Sequence, residues 1–211
     1  MFLRLIELFE SVQGETSLAG LPTTFIRLAA CNLRCTWCDT TYSFKKGELF
    51  PLEDILLKTK NYGHSHVCIT GGEPLLQKPV YSLMTTLNDL GYKVNLETGG
   101  SLSTAEVDPR VTVILDIKCP GSGMADKNYF ANLALLKPQD EVKFVLLDRQ
   151  DFDYALEICK SYNLTNNVLF SPVFGKLDPQ QLVQWILEAK YPIRLNMQVH
   201  KFIWTPETRG V

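Results

Sequence analysis

Apolar and polar positions along the chain follow two rhythms. Segments rich in β-branched and aromatic residues run from Phe2 to Glu10, Thr23 to Leu28, His66 to Thr70 and Tyr92 to Glu97, and each predicts a strand. Further strands are expected at Val111 to Asp116, Val142 to Leu147, Asn167 to Ser171 and Ile193 to Val199. Helical spacing fills the intervals. Pro51 opens one helix, with Leu52, Ile55 and Leu56 on one face and Gly63 as its stop. Others are expected from about Pro79 to Leu90, from Asp151 to Tyr162, and from Pro179 to Lys190 behind Asp178 as cap. The stretch from Pro120 to Pro138 has room for one short helix.

Strand and helix in strict alternation predict βα units around a mainly parallel sheet, either open or curled into a barrel. Ligands of such sheets bind at the C-terminal ends of the strands. Small and polar residues recur at the predicted ends: Thr70-Gly71-Gly72-Glu73, Glu97-Thr98-Gly99-Gly100, Asp116-Ile117-Lys118 and Ser171-Pro172.

Length and charge narrow the class. With 211 residues and no Ser- or Pro-rich linker, residues 1–211 are expected to form one domain with a full hydrophobic core. The 21 basic and 23 acidic side chains leave a net charge of -2, and no cationic run exceeds Lys45-Lys46, so direct nucleic-acid binding is not expected. Apolar runs fall far short of the roughly 18 residues that span a bilayer, and the first residues lack a leader pattern. The expectation is a cytoplasmic protein without membrane contact.

Three of the six cysteines are bunched at Cys31, Cys35 and Cys38, a C-x3-C-x2-C spacing on a loop after a strand. Soft thiolates select zinc or iron-sulfur centres over hard cations. A closed zinc or electron-transfer site needs a fourth ligand, for which the sequence shows no paired motif. A 4Fe-4S cluster on three cysteines would instead leave one iron open to a ligand. A chance cluster of loop thiols is the remaining reading. Cys68 and Cys159 read as buried thiols acting as small hydrophobes.

The cysteine spacing, with Trp37 before the last cysteine, resembles the cluster loop of the radical S-adenosylmethionine superfamily, and Gly71-Gly72-Glu73-Pro74 resembles its element that contacts the methionine amino group. Further segments resemble the 7-carboxy-7-deazaguanine synthase family: Ser11-Val12-Gln13-Gly14-Glu15, Phe25-Ile26-Arg27-Leu28, Cys38-Asp39-Thr40, Glu97-Thr98-Gly99-Gly100, Asp116-Ile117-Lys118-Cys119-Pro120 and His200-Lys201-Phe202-Ile203-Trp204. Thr16 departs from the family pattern, where a glycine is frequent.

The resemblance implies an incomplete, TIM-like (β/α) barrel that converts 6-carboxytetrahydropterin to 7-carboxy-7-deazaguanine with loss of ammonia. It implies a 4Fe-4S cluster on Cys31, Cys35 and Cys38, S-adenosylmethionine, and magnesium on Thr40. Substrate contacts carried over are Val12, Gln13, Gly14, Arg27, Thr98 and Val211. Cofactor contacts carried over are Trp37, Gly71, Gly72, Glu73 and Gly100, with Lys143, Phe144, Val145, Ser171, Pro172, Val173 and Phe174 around the adenosine. A flavodoxin or ferredoxin reductant and a homodimer follow from the same resemblance. The rival readings are a glycyl-radical activase, which often carries His-Asn where this chain has Asp39-Thr40, and a non-catalytic iron-sulfur electron-transfer protein.

Overall fold

The computed structural model describes residues 1–206 and 208–211. Nine strands form one sheet in the order β3-β1-β2-β4-β5-β6-β7-β8-β9. They are β1 (Phe2–Val12), β2 (Pro22–Leu28), β3 (Glu48–Pro51), β4 (His66–Gly71), β5 (Lys93–Thr98), β6 (Thr112–Ile117), β7 (Glu141–Leu146), β8 (Asn167–Pro172) and β9 (Ile193–Leu195). From β2 through β9 every neighbouring pair is parallel, while β1 runs antiparallel to both β2 and β3. Among the described residues the α-helices are α1 (Leu52–Tyr62), α2 (Pro79–Asp89), α3 (Arg149–Ser161), α4 (Pro179–Ala189) and the short α5 (His200–Ile203).

Side-chain parity explains the layering. Val67 and Ile69 of β4, Val94 and Leu96 of β5, Val113 and Leu115 of β6, and Val142 and Phe144 of β7 all face the helices, where they pack with Leu83, Leu87, Phe152 and Ala155. The alternate residues face the other way, and beside Cys68 and Ile114 they include polar and charged ones. Arg27 lies beside Thr70 and Asp116 beside Lys143 in the parallel register, and Glu97 points to the same side. A parallel sheet covered by helices on one face and carrying charges on the other needs something to enclose those charges.

The loop after β1 does this. Ser17 donates its backbone N–H to Glu141 on β7 at 3.2 Å, and Glu15 meets Lys143 on the same strand at 2.7 Å. In a flat sheet β1 and β7 would stand about 24 Å apart, five inter-strand spacings. The contact therefore requires the sheet to curl, and the architecture is an incomplete (β/α) barrel with β3 and β9 as open edges.

The structure corrects the sequence reading at four places. Pro51 caps α1 in extended geometry after closing the short strand β3, which was not anticipated. Asp148, accepting the Asp151 N–H at 3.1 Å, starts α3 two residues earlier than expected. Residues 120–138 form three 3-10 turns rather than one helix, because Pro120, Gly121, Gly123 and Asn128 interrupt any longer run. Finally, β9 stops at Leu195, and the chain then crosses the concave face as a strap ending in α5.

Candidate active site

Cys31, Cys35 and Cys38 lie on the loop leaving β2, at the C-terminal edge of the parallel strands, and all three are half-buried. The loop is held from two sides. Below it, Glu73 N donates to Ala30 O at 2.8 Å and Gly72 N to Leu28 O at 3.1 Å. Across it, Thr36 N and Oγ1 donate to Ser122 O and Gly121 O on the turn after β6. A Cβ on Gly72 would sit 2.0 Å from Ala30 O, and one on Gly71, whose φ is 144°, 2.3 Å from Leu28 O. The Gly-Gly pair thus exists for close backbone approach to the cysteine loop itself. Gly72→Ala should cost about 1–3 kcal/mol through that clash and lower the iron bound per chain after reconstitution, readable by denaturant melting and iron assay.

Burial pushes all three thiols up; Cys31 and Cys38 raise Cys35 further, Cys31 raises Cys38, and the Glu73 carboxylate raises Cys31. The Lys118 ammonium works in the opposite direction on all three. Lys118 is itself only 16% exposed, and burial opposes its charge, but Asp116 at 3.0 Å keeps it protonated. Among the described residues no three His, Cys, Asp or Glu side chains converge on a point that would hold one metal ion. A zinc site gathers every ligand on one atom, whereas the thiolates of a four-iron cube each bind a different iron and stay apart. The other cysteines, Cys68, Cys119 and Cys159, are at most 1% exposed within the sheet and its helix-side packing, and none joins the loop. Three soft donors on an exposed loop fit a 4Fe-4S cluster with one iron left to a ligand.

Glu73, expected to meet the cofactor, is fully buried and spends its carboxylate on protein groups. It accepts from Leu75 N at 3.0 Å, Thr98 Oγ1 at 2.9 Å and Gly99 N at 2.8 Å. It therefore ties the end of β5 to the Gly-Gly turn, and Thr98, expected to meet substrate, is its partner. Desolvation raises the Glu73 carboxyl above its usual range. Gly100, with φ 70°, follows at the same edge.

Of the substrate residues carried over, Gln13 and Arg27 have their partners on the concave face. Gln13 is 3% exposed, its amide already paired to Glu97 Oε1 at 3.3 Å and to Glu15 N at 3.2 Å. Val12 ends β1 beside Pro22. Gly14 is fixed by crowding, since a Cβ there would lie 2.0 Å from His200 Nδ1. Arg27 gives its Nε to Glu7 at 2.6 Å, and Glu7 also accepts from Tyr42 OH at 2.9 Å. Arg209 stacks 4.1 Å over that Tyr42 ring, which brings the tail ending at Val211 toward Arg27.

Of the adenosine residues, the Phe144 side chain is a correction. It packs at 5.4 Å against Phe170 in the helix-side core, because β7 parity turns it away from the concave face. Lys143 and Val145 do face the concavity, and Lys143 is held by Glu15 and by Asp116 at 3.5 Å. Ser171 accepts from Asn196 Nδ2 at 2.8 Å, and Val173 is buried behind it. Pro172 and Phe174 line an apolar cleft of about 440 Å³ with Leu177, Met197, Gln198 and Phe202. That volume is within the range of small-molecule sites. Trp37 is half-buried on the cysteine loop.

Glu15, Asp116, Lys118, Gln198 and Lys201 carry no role in the sequence reading, yet the structure joins them. Single charges inside otherwise apolar strands, such as Asp116 after Val113-Ile114-Leu115, were the available signal. Thr16 has φ 69°, a left-handed backbone that suits the glycine common at this place in the family, and its N–H donates to Asn196 Oδ1 at 2.8 Å.

The Radical SAM superfamily model matches residues 25–117, from β2 through β6. The chain is 42% identical to a 7-carboxy-7-deazaguanine synthase of Koribacter versatilis, over 99% of this chain and 100% of the relative. It is 41% identical to one of Chlorobaculum tepidum, over 99% and 97%. The crystal structure of QueE from Escherichia coli superposes with a TM-score of 0.76 at 24% identity, covering 93% of this chain and 94% of that one, a likeness of fold.

Proposed function

The chain belongs to the 7-carboxy-7-deazaguanine synthase family within the radical S-adenosylmethionine superfamily, and we infer that it contracts 6-carboxytetrahydropterin to 7-carboxy-7-deazaguanine with loss of ammonia. It is a carbon-nitrogen lyase of queuosine and 7-deazapurine biosynthesis that uses a 4Fe-4S cluster and S-adenosylmethionine. The observation that carries this reading is end-to-end similarity to such enzymes together with three thiols presented at the ligand edge without a fourth.

The cluster with S-adenosylmethionine supplies one-electron reduction and a hydrogen-abstracting radical; the protein binds, orients and shields. In this reading Cys31, Cys35 and Cys38 hold the cluster, and Lys118 offsets the negative charge gathered there. Gly71 and Gly72 seat the cysteine loop and, with Gly100, border the methionine end, with Glu73 as the strut that fixes their spacing. Trp37, Val145, Ser171, Pro172, Val173 and Phe174 enclose the nucleoside, with the backbone of Phe144. Lys143 acts indirectly, by pinning the Gln13-Gly14-Glu15 loop. The substrate sits between Val12, Gln13, Gly14, Thr98 and the Arg27 guanidinium, whose outer nitrogens suit a carboxylate. The tail at Val211 closes over it.

Thr40 presents one hard hydroxyl oxygen beside the Asp39 carboxylate: it donates to Asp39 Oδ1 at 2.9 Å, while the Gln198 amide N–H occupies Asp39 Oδ2 at 3.3 Å. This set suits magnesium, which shares its sphere readily with water and substrate oxygens. Thr40→Ala should keep the cluster and weaken the dependence of turnover on magnesium. Equal magnesium titrations for both proteins would remove Thr40 from this role.

The electron enters from outside the chain, from an acidic flavodoxin or ferredoxin. Supporting this, Arg34, Lys45 and Lys46 are exposed beside the cysteine loop, with Arg34 stacked 4.2 Å over Phe44. A joint Lys45→Glu, Lys46→Glu variant should lose about tenfold or more in turnover driven by a protein reductant. With dithionite its rate should match the parent; equal rates with both reductants would move the docking face elsewhere. Residues 1–211 act as one domain, and the homodimer is read by light scattering of the loaded enzyme. No helix among the described residues is long and apolar enough to cross a membrane.

A further inference from the structure

The strap from Asn196 into α5 fastens onto the residue next to Thr40. Lys201 Nζ lies 2.6 Å from Asp39 Oδ2 and 2.8 Å from Gln198 Oε1. Gln198 Nε2 reaches the same Asp39 oxygen at 3.3 Å and Glu15 Oε1 at 2.8 Å. The other Asp39 oxygen accepts the Thr40 hydroxyl. Both oxygens of Asp39 are therefore engaged. The strap is anchored independently by Val199 N on Gly14 O at 2.8 Å and Asn196 on Ser171, so fastening does not require a charged lysine. Lys201 is 8% exposed with its ammonium 5.4 Å over the Phe174 ring, whereas Asp39 is 47% exposed.

This arrangement raises a question of ligand choice. An ionised carboxylate is a stronger ligand for a hard divalent cation than a neutral hydroxyl, because the attraction is chiefly that of charge for charge. Asp39, half-open to solvent beside Thr40, should collect the ion first. An ammonium on Oδ2 prevents that by occupying the oxygen and cancelling its charge. We propose that Lys201 is a positioning residue that keeps Asp39 from taking the divalent cation before substrate arrives, so that the ion enters only with the oxygens the pterin brings. The proposal rests on the reading of Thr40 as the protein ligand.

The test measures Mn2+ bound by the cluster-loaded, oxidised enzyme with S-adenosylmethionine, with and without pterin, from the paramagnetic signal of the free ion. Without pterin, Lys201→Met and Lys201→Gln should bind Mn2+ at least about tenfold more tightly than the parent, and Lys201→Arg should match the parent. Adding Asp39→Asn to Lys201→Met should return affinity to the parent value. Unchanged affinity in both neutral variants overturns the proposal, as does a gain that survives Asp39→Asn. Thr40→Ala in the presence of pterin tests the underlying reading separately. If it retains pterin-dependent Mn2+ while the neutral Lys201 variants still gain the pterin-independent binding, Thr40 is not the ligand and the role of Lys201 stands.

Discussion

Cys35→Ala should yield a folded protein that assembles no 4Fe-4S cluster and forms no product. Cys35 is half-buried on a loop, outside the packed cores, so losing its sulfur removes a ligand without opening a cavity in either. Surface substitutions of this kind usually shift stability by about 0.5 kcal/mol or less. With two thiolates remaining, the cube lacks a ligand on two irons instead of one. Iron and sulfide per chain after reconstitution, denaturant melting, and product by mass spectrometry together read the outcome. A Cys35→Ala enzyme with a full cluster and normal turnover would falsify the ligand assignment.

Lys143→Met should damage the fold rather than the cluster. Lys143 and Glu15 are 12% and 13% exposed, and the same ammonium faces Asp116 and lies in the field of Glu97. Removing the cation leaves buried carboxylates without a counterion, a loss of about 3–5 kcal/mol, while Lys143→Arg should retain most of the stability. The pH dependence gives an independent check. Burial opposes ionisation of Glu15, but Lys143 outweighs it and holds the carboxyl below its ordinary 4.5. The unfolded chain then binds this proton first, so Glu15 contributes stability above its unfolded value that is lost as pH falls through the depressed folded one. Without Lys143, desolvation dominates, the Glu15 carboxyl rises above 4.5, and acidification should stabilise the variant through this group. Urea midpoints from neutral pH down to below 4.5 compare the two slopes; parallel slopes would place the Lys143–Glu15 pair outside the acid response.

The alternation of strands and helices was readable because each element carries its own period. Val94-Asn95-Leu96-Glu97 shows one face apolar and one polar, and the structure puts the apolar face under α2. Short pieces held by tertiary contact were not readable. β3 has four residues, two of them exposed, and exists because β1 lies alongside it. The residues after Leu195 look like continued strand, but Asn196 turns to bond Ser171 and the β1 loop instead. The cysteine loop was legible because its three donors lie within eight residues. The clasp was not, since each bond that joins Glu15 or Asp39 to Gln198 or Lys201 spans more than 150 positions along the chain. Sequence position also failed to say that Glu73 and Thr98 would meet each other.

The most direct test of the account is product analysis. The protein is reconstituted anaerobically with iron and sulfide and incubated with S-adenosylmethionine, reductant, magnesium and 6-carboxytetrahydropterin. Mass spectrometry should detect 7-carboxy-7-deazaguanine, formed by the parent and absent with Cys35→Ala. An intact cluster and bound S-adenosylmethionine with no 7-carboxy-7-deazaguanine would contradict it.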